Sequence, residues 1–556
     1  MTEELHPVST NGHSHGKRSD LTDESNPESI NFQDGQEHIT YLTGVRFWLV
    51  VIAIASSLFL TNLEIPIVTT SLVAITNDLG GFEDVGWLIS SYLLGYVGVL
   101  VIFSKLSDIF GRRAMLATSL AFFIVFSAAC GSAQTLTQLI IFRAFQGIGG
   151  GGCFGLAMPM ITELGPPEKL AKYTANISSI YGVSLLCGPI LGGAISANTT
   201  WRWVFLINVP AAVPAFLFTI FAIPKNFPYH GQRNRPQRTF KKLIGKENRS
   251  RLDIIGAVLL LLATLSLTAG FEEAESRFPW KSAYVITLLT VSGCLWIALL
   301  AWERRVTTQS KTVEPILPWR FMKNRVVVGL LLNSLFLGGP WFIGIFQLPQ
   351  KFQLVHGTSA LSAGIRLIPF TISAPIGSVV ASTLCGKLKV PVIFALLASA
   401  CLQTLGFALL STLPETSHIP PRMYGYQVIA GFGCGINIST LVLIVPFVVE
   451  FRDKAVGMGA VSQLRPMGGA IVLAITTSVF NSYTRPRLGE LLGPLGYGSS
   501  NAPTGELLAH LPTDLKEEAR GILAHGYNLQ MIVLCAFAAA QIPATLLMWQ
   551  KKPVRV

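Results

Sequence analysis

Charge is what this sequence has least of. Only 13% of its 556 residues are Asp, Glu, Lys or Arg, against 51% hydrophobic, and its mean hydropathy is +0.52. A soluble chain of this length would need far more charge to cover its surface, so a polytopic membrane protein is indicated. The eight cysteines all fall inside apolar segments and none sits in a segment placed outside, so no disulfide framework is expected. C-x-x-C and H-E-x-x-H patterns are missing, so neither a metal nor a cofactor is expected. No nucleophile–base pair or phosphate-cradling loop speaks for a membrane enzyme. A cleavable signal is missing too: the chain opens with a polar tail, and the first apolar segment must act as its own insertion signal.

What is present is a series of apolar segments, each near the ~20 residues that cross a bilayer. Fourteen are counted, at 46–70, 85–104, 114–132, 138–162, 173–197, 203–223, 252–271, 283–301, 326–347, 360–385, 391–411, 423–448, 456–480 and 528–549. They are called spans 1 to 14. The fold class expected is therefore all-α integral membrane, and an even count puts both termini on one side. The net charge is +12, but residues 1–44 hold eight acids and two bases, which leaves the remainder at +18. This surplus sits in short loops between apolar spans, so membrane orientation explains it better than nucleic acid does. With the N-terminus inside, inner segments hold 27 bases and outer segments 9, which makes both termini cytoplasmic.

The expected division has seven parts. Residues 1–44 form a disordered cytoplasmic tail whose His13 and His15 are read as solvated. Residues 45–224 form a six-span bundle and 225–251 a basic cytoplasmic loop. Two linking spans at 252–302 and a cytoplasmic loop at 303–325 follow, then a second six-span bundle at 326–550 and a tail at 551–556. Within the second bundle, 481–527 is expected to be an outer loop. Its Thr513–Leu523 stretch reads as a short amphipathic helix lying on the outer surface.

Several stretches carry more than hydrophobicity. In span 5, Gly182-Val-Ser-Leu-Leu-Cys-Gly-Pro-Ile-Leu-Gly-Gly193 has five glycine or proline positions in twelve residues. In water each interior glycine costs a helix about 1 kcal/mol and each proline about 3, but in a bilayer the backbone must still bond to itself. Gly188, Gly192 and Gly193 would then leave one face bare for another helix, with Pro189 bending the chain beside it. A plain packing seam reads the same way. Between spans 2 and 3, Ser104-Lys-Leu-Ser-Asp-Ile-Phe-Gly-Arg-Arg113 forms a tight turn. Gly111 permits the turn, Asp108 can accept, and Arg112 and Arg113 anchor the inner surface, as a simple positive-inside loop would.

Four bases fall in or at the edge of the spans: Arg46, Arg143, Arg366 and Arg465. Facing lipid, an arginine at mid-span costs about 3 kcal/mol or more, so Arg143 of span 4 must face protein, and Gln146 lies nearly one turn on beside it. Arg143 is either tied to backbone carbonyls or engaged in proton chemistry. Glu64 in span 1 is the only carboxylate expected deep in the membrane, while Glu163, Asp253 and Glu450 fall at inner span ends. Because burial disfavours an ionised carboxyl, Glu64 is either a proton carrier or half of a structural ion pair. Amides within spans usually face the bundle interior. Asn333, Gln347, Gln403, Gln427, Asn437 and Gln463, with Arg465, are thus candidates for a substrate cavity or for helix–helix bonding. The one sequon placed outside, at Asn198, lies too close to span 6 for modification to be expected.

Taken together, these strings resemble the major facilitator superfamily, and within it the 14-span drug:proton antiporter branch that includes fungal toxin and multidrug efflux pumps. The 104–113 turn is similar to G-x-L-x-D-R-x-G-R-R, with Ser104 for the first glycine and Ile109 for a basic residue. Arg143-Ala-Phe-Gln146-Gly resembles R-x-x-Q-G, and the span 5 stretch resembles the antiporter motif. Leu63-Glu-Ile-Pro resembles L-D-x-T, with Glu64 in the Asp position and Pro66 for Thr. Trp201-Arg-Trp-Val-Phe-Leu-Ile-Asn-Val-Pro210 and Arg465-Pro-Met-Gly-Gly469 look like fingerprints of the same branch.

The resemblance implies a major facilitator fold with a central site. Glu64, Arg143 and Gln146 would couple to protons, Asp108, Gly111, Arg112 and Arg113 would latch the halves, and the Gly182–Gly193 face would let them rock. It implies export of a small amphipathic organic compound by a monomer in the plasma membrane, or else the vacuolar membrane. A 14-span siderophore or basic amino-acid carrier is the nearest alternative, and a non-transporting sensor on the same fold is another. A carrier of cationic amino acids should offer more than one deep acid.

Overall fold

The computed structural model describes residues 41–80, 86–229, 250–275, 278–310, 312–416, 418–492 and 511–555. Most of the expected N-terminal tail, of the basic loop 225–251, and the middle of the expected outer loop lie outside the described residues. Among the described residues, fourteen helices are long and apolar enough to cross a membrane. Spans 1 to 6 are Gly44–Thr69, Trp87–Phe110, Arg112–Ser132, Leu136–Glu163, Ser179–Ser196 and Trp203–Ala222. Spans 7 and 8 are Ile254–Glu273 and Ala283–Gln309. Spans 9 to 14 are Arg325–Leu354, Ser362–Gly386, Val392–Ser411, Arg422–Val448, Phe451–Leu492 and Asp514–Leu547. Several start at side-chain caps that satisfy the first free amides: Thr135 accepts from Gln138 N, Asp253 from Gly256 N and Asn324 from Val326 N.

Helix packing divides the chain into two similar bundles. Spans 1·5, 2·4, 3·4, 1·6 and 3·6 pack together, and the same pairs recur eight spans later as 9·13, 10·12, 11·12, 9·14 and 11·14. The bundles meet along two seams related in the same way, 5·10 and 2·13. Spans 7 and 8 pack on each other, and span 7 lies against both span 2 and span 13. Gln463 fixes that three-way junction: its Oε1 accepts from Val101 N of span 2 at 3.1 Å and its Nε2 donates to Thr264 Oγ1 of span 7 at 2.9 Å. Arg46 Nε donates to Ala222 O at the end of span 6, and Val554 O accepts from Val392 N at the start of span 11.

One expected element is different. Thr513–Leu523 is no separate surface helix but the first turns of one continuous helix, Thr513–Leu547. Span 13 likewise runs on to Leu492. The apolar face read as membrane-seeking instead packs inward, Ala519, Leu523 and Ala524 meeting Val355 and Leu492 at the ends of spans 9 and 13.

Candidate functional site

Glu64 and Arg143 are fully buried and paired, with Arg143 Nη1 3.2 Å from Glu64 Oε2. Gln146 Nε2 donates to Glu64 Oε1, and its Oε1 accepts from Arg143 Nη1 at 2.9 Å. The three residues read from two distant motifs thus form one closed triangle. Two further side chains complete it. Asn208 of span 6 donates Nδ2 to Glu64 Oε1 at 2.8 Å, and Ser127 of span 3 accepts from Gln146 Nε2 at 2.8 Å. Arg143 Nε donates to Leu88 O of span 2 at 3.0 Å. Its guanidinium carbon lies 4.4 Å from the centre of the Tyr92 ring, a cation–π contact in a water-poor setting. Tyr92 in turn donates to Thr61 O of span 1 at 3.0 Å. Five of the six helices in the first bundle therefore bond into one acid-centred network.

Local sequence makes this approach feasible. A Cβ on Gly147 would sit 2.2 Å from Tyr92 O, so only glycine lets spans 2 and 4 come into backbone contact beside Arg143. Asn208 and Phe205, the latter's ring centre 5.6 Å from the Arg143 guanidinium, both come from the Trp201–Pro210 fingerprint. Sequence reasoning quoted that string but assigned Asn208 no role, because an asparagine early in a span does not announce the depth at which its amide lies.

The 104–113 turn is built as an ion-pair cluster. Gly111 has φ +95°, the left-handed region that a side chain rarely adopts. Arg112 bridges Asp108 at 2.7 Å and grips Glu163 at the end of span 4 through two nitrogens, at 2.7 and 3.0 Å. Arg113 is half-buried beside it. Lys105 meets Glu314 at 2.7 Å, and Arg251 meets the same carboxylate at 2.5 Å, which ties span 2 to the start of span 7 and to the segment after span 8. Burial works against the Glu314 charge, but Lys105 and Arg251 outweigh it and hold the carboxyl below its ordinary range.

The glycine face of span 5 divides between two partners. Gly188 packs on Pro66 and Gly192 on Ile67 and Thr70, all of span 1 in the same bundle. Gly182 alone faces the other bundle, with Pro375 of span 10 at 2.7 Å from its would-be Cβ. Gly193 has nothing within 4 Å, so it does not share the stripe expected of it: one position past Gly192 turns it about 100° to the exposed side. Pro189 lies within the continuous helix Pro167–Asn198, and Asn198 is exposed at its end, donating back to Ala194 O.

A narrow cleft with about 40 Å³ of free space lies between the bundles. Phe154, Tyr181, Trp341, Pro375 and Arg465 are among the residues around it, with four serines. Trp341 sits in a single π turn, Gly339–Ile343, within span 9. Its ring lies between Tyr181 and Phe370 at centroid distances of 5.6 and 5.9 Å.

Of the seven side chains proposed for a cavity, Arg465 alone borders this cleft. All of the amides but Gln427 bond between helices instead. Asn437 and Gln403 meet at Gln541 of span 14, Asn333 bonds Thr545 of the same span at 2.9 Å, and Gln347 bonds Thr476 at 2.9 Å. Gln427 is buried, its amide atoms have no partner among the described residues, and it is not one of the residues lining the cleft. Inside a bilayer an amide finds its strongest partner in another amide or hydroxyl, which is why these residues pair rather than line. Lys351, beyond the apolar segment 326–347, lies inside the span 9 helix, 2% exposed, donating to Asn528 Oδ1 at 2.7 Å.

Two six-helix bundles, a linking pair, and an acid buried in one bundle define a multi-pass transporter of the major facilitator type. The profile described as Major Facilitator Superfamily matches residues 51–473, and the chain belongs to that family. Among characterised relatives it is 39% identical to the MFS-type transporter FPY5 of Fusarium mangiferae, over 92% of this chain and 85% of that protein. It is 31% identical to multidrug resistance protein 3 of Bacillus subtilis, over 81% of this chain and 84% of that one. The human organic anion transporter MFSD10 aligns over 91% of this chain and 100% of that structure, with a TM-score of 0.55. At 14% identity this last likeness shows the fold alone.

Proposed function

We propose that this protein is a proton-coupled exporter of small amphipathic organic compounds. The observation that carries the reading is Glu64, buried in the first bundle and held by Arg143, Gln146 and Asn208. Ionised, it neutralises a guanidinium that the bilayer would otherwise penalise heavily. Protonated, it releases that guanidinium to its neutral partners, Leu88 O and Gln146 Oε1. The two protonation states therefore favour different packing of spans 1, 4 and 6, and a conformational equilibrium with such differential affinity for a proton can be driven by a proton gradient. Relatives named as efflux pumps, such as roqT of Penicillium rubens, support the outward direction.

In this reading residues 45–224 and 326–550 rock about a central site, with 252–302 as linking spans. The Asp108–Arg112–Glu163 cluster stabilises one position of the halves, and Gly182 against Pro375 gives one seam a smooth surface. Both termini are cytoplasmic, the membrane is the plasma membrane, and the chain acts as a monomer on its substrate and on protons, without enzymatic chemistry. The test is purified protein in proteoliposomes with an imposed pH gradient. Accumulation of an amphipathic dye above equilibrium, collapsing when an ionophore removes the gradient, is expected, and gradient-independent equilibration would contradict the reading.

A further inference from the structure

Arg143 and Arg465, both buried in mid-span, are in opposite situations. Arg143 has Glu64, a carbonyl, an amide and an aromatic ring around it. Arg465 is 8% exposed on the wall of the cleft between the bundles. Among the described residues it has no carboxylate within 4 Å, and its Nε is buried without an acceptor. Among the described residues no other charged side chain borders the cleft: the rest of the lining is aromatic, aliphatic, methionine, proline or serine. Two phenols, Tyr96 and Tyr181, lie within electrostatic reach of the guanidinium.

A desolvated guanidinium without a counterion is costly, and structures keep one only where something else supplies the charge. Arg465 presents a planar fork of donors suited to a carboxylate or another resonance-stabilised oxyanion. Beside it, Trp341, Tyr181 and Phe154 offer flat apolar surface. We propose that this cleft is an anion site: its substrates are amphipathic organic acids whose carboxylate, phenolate or enolate pairs with Arg465 while the apolar body lies against Trp341. The proposal rests on the export reading and narrows it. A cationic substrate, the basic amino acid of the nearest alternative included, would meet uncompensated like charge there.

The test uses three probes with one apolar body, namely pyrenebutyrate, pyrenebutanol and pyrenebutylammonium. The full chain is placed in nanodiscs, with empty nanodiscs as blank, and binding is read as energy transfer from tryptophan to pyrene. The anion is expected to bind about tenfold to hundredfold tighter than the alcohol, the effect of one charge-assisted pair in a water-poor site. Arg465→Gln should weaken the anion to the level of the alcohol and leave the alcohol unchanged, which also shows that the cleft is intact. Arg465→Lys should restore part of the preference.

Equal binding of alcohol or ammonium by the parent, or an anion preference that survives Arg465→Gln, overturns the proposal. The two readings fail separately in proteoliposomes. If the gradient moves none of the probes while the anion preference stands, export is refuted and the anion site remains. If it moves pyrenebutanol but not pyrenebutyrate, the anion inference alone is refuted.

Discussion

Gly192 and Gly193 are adjacent, chemically identical and lie in the same helix, yet the packing of span 5 predicts opposite responses to one added methyl. A Cβ on Gly192 would lie 2.3 Å from Ile67 O and 2.2 Å from Thr70 Oγ1, while one on Gly193 meets nothing within 4 Å. Since Cβ contacts below 3.0 Å essentially never occur, span 5 must retreat from the Ile67 carbonyl by at least about 0.7 Å. That carbonyl is backbone and cannot rotate away, and Thr70 Oγ1 is bonded to it at 3.0 Å. Overpacking of this kind costs about 1–3 kcal/mol. Replacing glycine by alanine in a helix returns about 1 kcal/mol at either position, so this term cancels when the two variants are compared. Gly192→Ala should therefore be about 1–3 kcal/mol less stable than Gly193→Ala. Thermal unfolding in detergent can be followed with a thiol-reactive dye, since Cys130, Cys153, Cys385 and Cys434 are buried until the helices separate. Gly192→Ala should melt below the parent and Gly193→Ala at or above it. Coincident curves for the two variants would refute the span 1–span 5 packing.

Three further outcomes follow from named contacts. Asn208→Ala removes a buried donor to a carboxylate, worth about 1.5–3 kcal/mol, and should cut gradient-driven transport severely while the protein remains in the membrane; unimpaired pumping would make Asn208 a bystander. Glu314 is held below its ordinary range by Lys105 and Arg251, so its contribution is full above the ordinary carboxylate pKa of about 4.3 and is lost as pH falls through the lowered native value. Because the pair is partly exposed, that contribution is under about 1 kcal/mol, and Glu314→Gln should flatten the fall in melting temperature toward acid pH; an unchanged slope would contradict it. Cysteines placed singly at Thr308 and Thr416 in a background without reactive thiols should label from the cytoplasmic and outer sides respectively, and labelling of both from outside intact cells would sink the proposed topology.

The sequence made the number of spans legible because hydropathy over about 20 residues is a strong signal. It also made Glu64, Arg143 and Gln146 legible, since charge inside a span is rare enough to stand out. What stayed hidden was depth and facing. Asn208 lay inside a quoted fingerprint, but its amide reaches Glu64 only because span 6 packs on spans 1 and 3. Gln403 and Asn437 of spans 11 and 12 looked like cavity lining because nothing in sequence reveals that Gln541 stands between them. Gly193 sat in the same motif as Gly192, and only helix rotation separates them. The helical start of span 14 kept its amphipathic pattern, but the surface it covers is protein, contributed by Val355 at the end of span 9 and Leu492 at the end of span 13.

The central claim is that Glu64 carries the proton that drives transport, and Glu64→Gln tests it most directly. Glutamine keeps the size of the side chain and can still bond Asn208 and Gln146, but it cannot ionise. Proteoliposomes holding parent or variant are compared in two modes: uphill accumulation of pyrenebutyrate under an imposed pH gradient, and exchange of labelled for unlabelled compound with no gradient. The account predicts that Glu64→Gln abolishes the uphill mode and leaves exchange measurable, with Glu64→Asp recovering part of the uphill flux. If Glu64→Gln accumulates the compound uphill at the parent's rate, the buried acid is structural and the proton crosses elsewhere.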